Sequence, residues 1–449
     1  MSVNDLPEDV ISRSLLRTER AATLLALICL AALILRVAYR VHAGGDDFWQ
    51  NGYLFFYEYA KNIAAGKGLW LEGGGYAMRP PVYPYFLALA YLLGGHYLLV
   101  VIPQALVGTV TVACAYLIGK ELFSERAGLI AALFTAFYPY YVVHDTALQE
   151  TSMVTALAAL SVYALLRAKR SSLLATWLLA GLVLGATVLT RATMLPFALA
   201  ASVWIAALGA GQPRQKLLRA GVVLCGLALL VGSWLVRNDV VIGRPILTSE
   251  LGNQFWTANN PQTFSRYPGE SMDESRDVAF QALSAPEKQL VASLYGNELA
   301  LNDFFMAKGI AYVRDNPEDV LVDGLRKVAA GFSWTINPNR EPLVQAVYFL
   351  SYAPILVLGL LGMVLARRGW REHGLMYLQF LSFVAVTAVF WAHTSHRTYL
   401  DVYLILFSAY AVDRLITERL RAENRSNTAS SVISTGKLSR PKVMPYGTA

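Results

Sequence analysis

The sequence predicts an all-α, polytopic membrane protein, and three observations lead there. Of its 449 residues 55% are hydrophobic and only 15% charged, whereas a soluble chain of ordinary composition carries about a quarter charged residues. The apolar residues gather into blocks of roughly 18–22, the length a helix needs to cross ~30 Å of hydrocarbon. Basic residues recur in the short loops that alternate with those blocks. A net charge of +7 therefore reads as the positive-inside pattern of a membrane protein rather than as a nucleic-acid stripe.

Taken in order, the spans fall near residues 21–41, 97–118, 127–143, 150–166, 173–190, 192–210, 218–236, 347–366, 374–393 and 399–416. Arg13, Arg17 and Arg20 precede the first block like a signal peptide's n-region. No small-residue cleavage site follows, so an uncleaved first helix is expected. With the N-terminus inside, the inner loops hold Lys120 and Arg126, then Arg167, Lys169 and Arg170, then Arg214, Lys216 and Arg219, then Arg367, Arg368 and Arg371. The tail adds Arg414, Arg419 and Arg421, while the short outer turns at 144–149 and 394–398 hold only Arg397. This regularity sets the orientation. Cys29, Cys114 and Cys225 lie in apolar blocks and read as buried thiols rather than a disulfide framework.

The domain plan follows: a cytoplasmic N-terminus (1–20), a bundle with a first outer loop (21–236, loop 42–96), an extracytoplasmic segment (237–346), the last spans (347–418) and a cytoplasmic, disordered tail (419–449). Both outer segments are too long to be connectors. The first holds a helix-like stretch at 57–65, the turn Gly73-Gly74-Gly75, Arg79-Pro80-Pro81, and an apolar stretch at 82–93. That last stretch is too short to span and suits a helix lying at the interface. The second has ordinary soluble composition, with an acidic patch (Glu270, Asp273, Glu274, Asp277), a helical pattern at 303–313 and another helix from Asn316-Pro317 toward Trp334.

Ionisable groups near membrane depth are costly, so those at the outer helix ends are the functional candidates. Asp46 and Asp47 follow Gly44-Gly45, Arg79 closes the same loop, Asp145 and Glu150 bracket the second outer turn, Arg191 marks the third, Arg237 ends the seventh span, and Arg397 stands in the last turn. A carboxylate can take a proton from an acceptor hydroxyl, and arginines pair bidentately with phosphate. Against this, two aspartates after a helix often form only a solvated cap. Asp145 and Glu150 read equally as a solvated turn and a helix-start charge. Arg36 and Arg40 read as snorkelling cations, Tyr138 and Tyr140 as belt residues, and His144, His393 and His396 as polar rim rather than metal ligands. Walker A, dinucleotide-binding and HExxH motifs are missing.

Several stretches also resemble a known family. AKNIAAGKG (60–68) followed by RPPVYPYFLAL (79–89) is similar to the first outer loop of bacterial glycosyltransferase family 39. This family has the GT-C fold and is related to protein O-mannosyltransferases and the lipid A aminoarabinose transferase. GKELFSERAGLIAALFTAFYPYYV (119–142), ALQE (147–150), LTRATMLP (189–196, with Ala192 where proline is usual), SWLVRNDVVIGRPILTSELGNQFWTANNP (233–261) and NDFFMAKGIAYVRDNPEDVLVDGLRKVAAGFSW (302–334) continue the series in order. The resemblance implies a GT-C bundle of about ten or more transmembrane helices. It implies inverting sugar transfer from an undecaprenyl- or other polyprenyl-phosphate donor on the periplasmic side of the bacterial inner membrane. The acceptor would be a glycan, glycolipid or protein. The catalytic carboxylate carries over to Asp47, with Asp46 as rival and Glu58 as fallback. A supporting acid carries over to Glu150 or Asp145, and a late-loop cation to Arg397. Donor-phosphate binding is then expected from Arg79, Arg191, Arg237 and Arg397. The metal requirement stays open, a divalent cation being compatible with these acids. A flippase or transporter of a lipid-linked sugar is the alternative, although such proteins carry internal repeats and midplane charges that the sequence does not display.

Overall fold

The computed structural model describes residues 8–45, 48, 49, 53–391 and 393–435, with side chains between residues 19 and 423. Asp46 and Asp47 lie outside the described residues. Among the described residues the chain is helical and without strands. In order these are α1 (Glu8–Ala43), α2 (Leu54–Ala64), α3 (Val82–Leu92), α4 (Leu98–Leu122), α5 (Glu125–Phe137), α6 (Pro139–His144), α7 (Thr151–Lys169), α8 (Leu174–Thr190), α9 (Leu195–Leu208), α10 (Pro213–Ile242), α11 (Leu251–Ala258), α12 (Met272–Gln281), α13 (Ala285–Ser293), α14 (Glu298–Asp315), α15 (Pro317–Gly331), α16 (Pro342–Leu365), α17 (Gly374–Val389) and α18 (Thr398–Thr435).

Every expected span coincides with helix. Five stretches, 19–43, 98–122, 151–169, 213–242 and 342–365, are by length and composition able to cross a bilayer, with shorter apolar helices beside them. The chain is an integral membrane protein. The third span is broken at Tyr138, because Pro139 opens α6 and the residue before a proline is pushed out of the helical region. Local chemistry sets the other limits. Ser124 caps α5 by accepting from the Ala127 N–H. Ser284 and Glu287 form a capping box on α13. Gly243 ends α10 in the left-handed conformation at φ 77°. The tail expected to be disordered continues as helix to Thr435, and residues 436–449 lie outside the described residues.

Small residues let the spans approach closely. A Cβ on Gly181 would fall 2.2 Å from the Val223 carbonyl oxygen, and one on Gly226 2.5 Å from that of Leu178, locking α8 against α10. Gly362 meets the Phe407 carbonyl in the same way, joining α16 to α18. The first half of α18 is buried all round, from Tyr399 through Ala409, which identifies it as the bundle's central helix. Segment 237–346 contributes a satellite core of Trp256, Ala279, Leu283 and Phe305. Its helices α14 and α15 match the expected patterns, and α2 and α3 match those of the first loop. On α3, Tyr85 is exposed while Tyr83 is buried and donates to Gln104 at 3.0 Å.

Several side chains depart from expectation. Arg36 is fully buried rather than snorkelling. Tyr138 and Tyr140 are core residues whose hydroxyls bond Asp401 and Thr394; the apolar pattern did not show that α18 and the turn before it would present polar partners to them. Of the cysteines only Cys114 is buried. An apolar side chain facing lipid has the same composition as one facing the core, so sequence alone does not separate the two.

Candidate active site at the outer end of the bundle

The two long segments meet over the end of the bundle that the basic-loop pattern makes the outer one. The residues 69–78 are strapped to segment 237–346 and to the end of α10. Arg237 donates from Nη1 to the Tyr76 carbonyl at 2.7 Å and from Nη2 to that of Leu69 at 3.1 Å. Glu298 accepts from the Tyr76 and Ala77 amides at 3.0 and 3.1 Å and also bonds Ser249. Ser249 and Thr248 in turn bond the Ala77 and Met78 carbonyls. The strap delivers Arg79 to the mouth of the bundle. Its guanidinium lies 4.8 Å over the Phe55 ring and has no hydrogen-bond partner among the described residues.

Around Arg79 the structure gathers a mixed-charge neighbourhood. Tyr53, just before α2, is within electrostatic reach of Glu150, Asp273, Arg191 and Arg79, and its burial pushes the phenol up to about 12. Asp273, in the first turn of α12, feels Arg276 and Arg79; burial nonetheless raises its carboxyl to about 6. Glu150 is paired with Arg191 at 2.8 Å, both largely shielded, with Arg191 Nε donating to the same oxygen at 3.1 Å. His396 also lies within reach of Arg191 and Arg79, its ring 4.9 Å from Trp391 and 4.3 Å from His393. Trp391 donates to Gln254, whose amide donates on to Glu250. Three sequence candidates, Arg79, Glu150 and Arg191, thus converge. Tyr53, Asp273, Glu250 and Glu298 were missed, and the acidic patch carrying Asp273 was the available signal.

Other candidates are placed differently. Asp145 is buried in an ion pair with Arg36 at 2.8 Å, so it is not a solvated turn. Arg397 is fully buried: Nε bonds Asp401 at 2.8 Å, Nη1 the Gly331 carbonyl, Nη2 the Tyr348 hydroxyl, and the guanidinium covers Tyr352 at 3.7 Å. Fully buried and bonded to all three, Arg397 knits α15, α16 and α18 and does not present itself to a phosphate. Arg237 is likewise committed to the strap. Glu58 is half-exposed and paired with Lys61 at 3.3 Å. The chain around Asp46 and Asp47 is anchored on both sides. Gly45 packs where a Cβ would meet Tyr97 at 2.2 Å, Phe48 is buried under Arg40, and Trp49 Nε1 donates to the Gly95 carbonyl at 2.8 Å. Among the described residues no group of three or more acids, histidines or cysteines is arranged to hold a metal.

Comparison with known proteins agrees with this architecture. Residues 78–235 match the family model described as dolichyl-phosphate-mannose-protein mannosyltransferase. The archaeal oligosaccharyltransferase AglB from Archaeoglobus fulgidus, in complex with an inhibitory peptide and a dolichol-phosphate, superposes with a TM-score of 0.56 and 14% identity over 95% of this chain and 53% of that one. The chain shares the membrane fold of this oligosaccharyltransferase. The same oligosaccharyltransferase in the apo form gives a TM-score of 0.54 at 14% identity over 91% of this chain and 52% of that one. ArnT from Cupriavidus metallidurans bound to undecaprenyl phosphate aligns more loosely, at a TM-score of 0.38 and 13% identity over 88% and 78%. The chain spans about half the length of the oligosaccharyltransferase. No curated protein sequence matches it.

Proposed function

We propose that the protein transfers a sugar from a polyprenyl-phosphate donor to a hydroxyl-bearing glycan, glycolipid or protein, at the outer face of a bacterial cytoplasmic membrane. The observation that carries this reading is Arg79. In a GT-C fold with a strapped first loop, a guanidinium with no hydrogen-bond partner among the described residues stands on an aromatic ring amid acids and a tyrosine. Its N–H donors are open among the described residues, and the oxygens of a phosphate fit the guanidinium fork.

The chemistry divides among the residues accordingly. Arg79 holds the donor phosphate and stabilises the charge that grows on it as the glycosidic bond breaks. Asp47, with Asp46 as its rival, takes the proton from the acceptor hydroxyl as that oxygen attacks the anomeric carbon from the opposite face, so configuration inverts. Glu150 and Arg191 act as a pair: the arginine orients the carboxylate, which positions the acceptor or a cation. Asp273 and Tyr53, both within electrostatic reach of Arg79, border the same site.

The test is transfer of radiolabelled sugar from a polyprenyl-phosphate donor by membranes bearing Asp46→Asn, Asp47→Asn or Arg79→Gln. Loss of transfer in one aspartate variant and in Arg79→Gln, at undiminished protein level, supports the mechanism. Full transfer by both aspartate variants would falsify it. Donor translocation across vesicles without transfer would assign the chain instead to the transport of lipid-linked sugars.

A further inference from the structure

We infer that the opposite, basic end of the bundle carries a second binding site, for a phosphate-bearing anion, of which an anionic phospholipid headgroup is the form the surroundings favour. A cavity of 690 Å³ opens there between the C-terminal ends of α4 and α16, the turn that follows α16, and the middle of α18. Arg367, Arg368 and Arg414 line it, with Glu372 and Asp413 as the opposing charges. Asp413 is already neutralised: Arg126, from outside the cavity, pairs with it and Ser124 donates to it at 2.8 Å. Three guanidinium groups therefore face one free carboxylate. Arg367 spends one nitrogen on the Val364 carbonyl, and Arg414 reaches Glu418 only at 3.7 Å.

The floor is built rather than incidental. Phe123 stacks on His373 at 5.0 Å between ring centres and on Tyr410 at 4.5 Å. His373 is 5% exposed and lines the cavity, and its Nδ1 has no hydrogen-bond partner. The carbonyls of Ala366 and Leu122 lie near the ring, without bonding geometry to that nitrogen. A buried ring nitrogen left unpaired beside three arginines is a group that a ligand oxygen would complete. Guanidinium forks match the planar spread of phosphate oxygens.

A lipid is favoured over free phosphate by what borders the cavity. Val364, Leu365, Leu415 and Ile416 stand exposed beside the arginines, an apolar rim that acyl chains would cover and a soluble ion would leave bare. Basic pockets between helix ends at the membrane surface bind anionic headgroups by this combination. The site lies at the other end of the molecule from Arg79, so its occupancy can be read without reference to sugar transfer.

The experiment uses the full chain purified in a neutral detergent. Retention of phosphatidylglycerol or phosphatidylcholine is read by native mass spectrometry, and protection against thermal unfolding is read with either lipid or with inorganic phosphate. Phosphatidylglycerol should be retained and protective. Each arginine removed should weaken it about fivefold, and the pair Arg368→Gln with Arg414→Gln about thirty-fold. Arg214→Gln with Lys216→Gln, an exposed and a half-buried cation elsewhere on the same face, should leave binding unchanged. Competition by inorganic phosphate at matched affinity, abolished in the pocket variants, would support the site with free phosphate as its source. Equal retention of both lipids, or equal loss in the pocket and control pairs, would overturn the proposal. Because both pocket arginines are exposed, an unshifted unfolding temperature without lipid shows that the pocket variants fold.

Discussion

Replacing Asp145 with asparagine should destabilise the bundle severely, and the structure says by how much. Arg36 is fully buried and its carboxylate partner nearly so, 2.8 Å apart. Arg36 Nη1 also donates to the Ala32 and Ala136 carbonyls at 3.1 and 3.0 Å, whereas Nη2 has no partner. Without the carboxylate a full cation stays in the bundle on two neutral acceptors, a loss of about 3–5 kcal/mol. Removing both charges, as Arg36→Met with Asp145→Leu, leaves nothing uncompensated and should return most of that loss, giving a coupling of about 2–3 kcal/mol in the double-mutant cycle. Gly108 supplies an independent check. A Cβ there would fall 2.4 Å from Asp145 Oδ2 and 3.0 Å from Arg36 Nε, so Gly108→Ala should weaken the fold in the same direction. Thermal unfolding in one detergent of wild type, Asp145→Asn, Gly108→Ala, the double variant and its component singles Arg36→Met and Asp145→Leu measures these effects. An Asp145→Asn protein within about 0.5 kcal/mol of wild type, or a double variant no better than the worse single one, would refute the reasoning. Transfer activity in the refolding double variant then separates the roles: activity retained means Asp145 is structural, activity lost means the carboxylate is needed in the chemistry.

Three further outcomes follow from the geometry. Arg79→Lys should keep the fold, since no acceptor among the described residues loses a bond, yet lower kcat/KM by about tenfold to a hundredfold as the bidentate fork is lost; steady-state kinetics at varied donor concentration check it. Asp273, with its folded carboxyl raised to about 6 from an ordinary 3.8, binds more protons folded than unfolded between those values. Stability should therefore fall as pH rises from about 4 to 6, and Asp273→Asn should remove that slope in pH-dependent unfolding and be the more stable protein at neutral pH. Glu298→Ala takes away the acceptor of the Tyr76 and Ala77 amides; proteolysis should then cut within residues 69–78 several-fold faster, with transfer falling in parallel.

The architecture was legible because a bilayer imposes one simple rule on length and hydropathy, and all the expected spans were found as helices. The break at Tyr138-Pro139 inside the third span was present in the sequence as a proline but was masked by the apolar run. The burial of Arg36 and Arg397 was not readable. An arginine near a helix end looks the same whether it snorkels or meets an acid brought from elsewhere, and Asp145 lies 109 positions from Arg36. The candidate site was half legible. Arg79, Glu150 and Arg191 stood at outer helix ends, where charge is conspicuous. Asp273 was visible only as one member of an acidic patch, and Glu298 sat among ordinary soluble residues, where a carboxylate has no reason to attract notice until the fold carries it to the mouth. Asp46 and Asp47 rest on sequence position.

The Glu298 strap has a consequence for how the protein is made. The amides of Tyr76 and Ala77 wait for an acceptor 222 and 221 residues further along the chain. Arg237, which clamps the same loop from α10, arrives only after seven spans have been threaded into the membrane. A ribosome-bound intermediate therefore holds its first outer loop open through most of synthesis. Any chain released before α14 should be inserted and helical but unable to seat Arg79, so the charged cluster around that arginine is assembled only once α14 has been made.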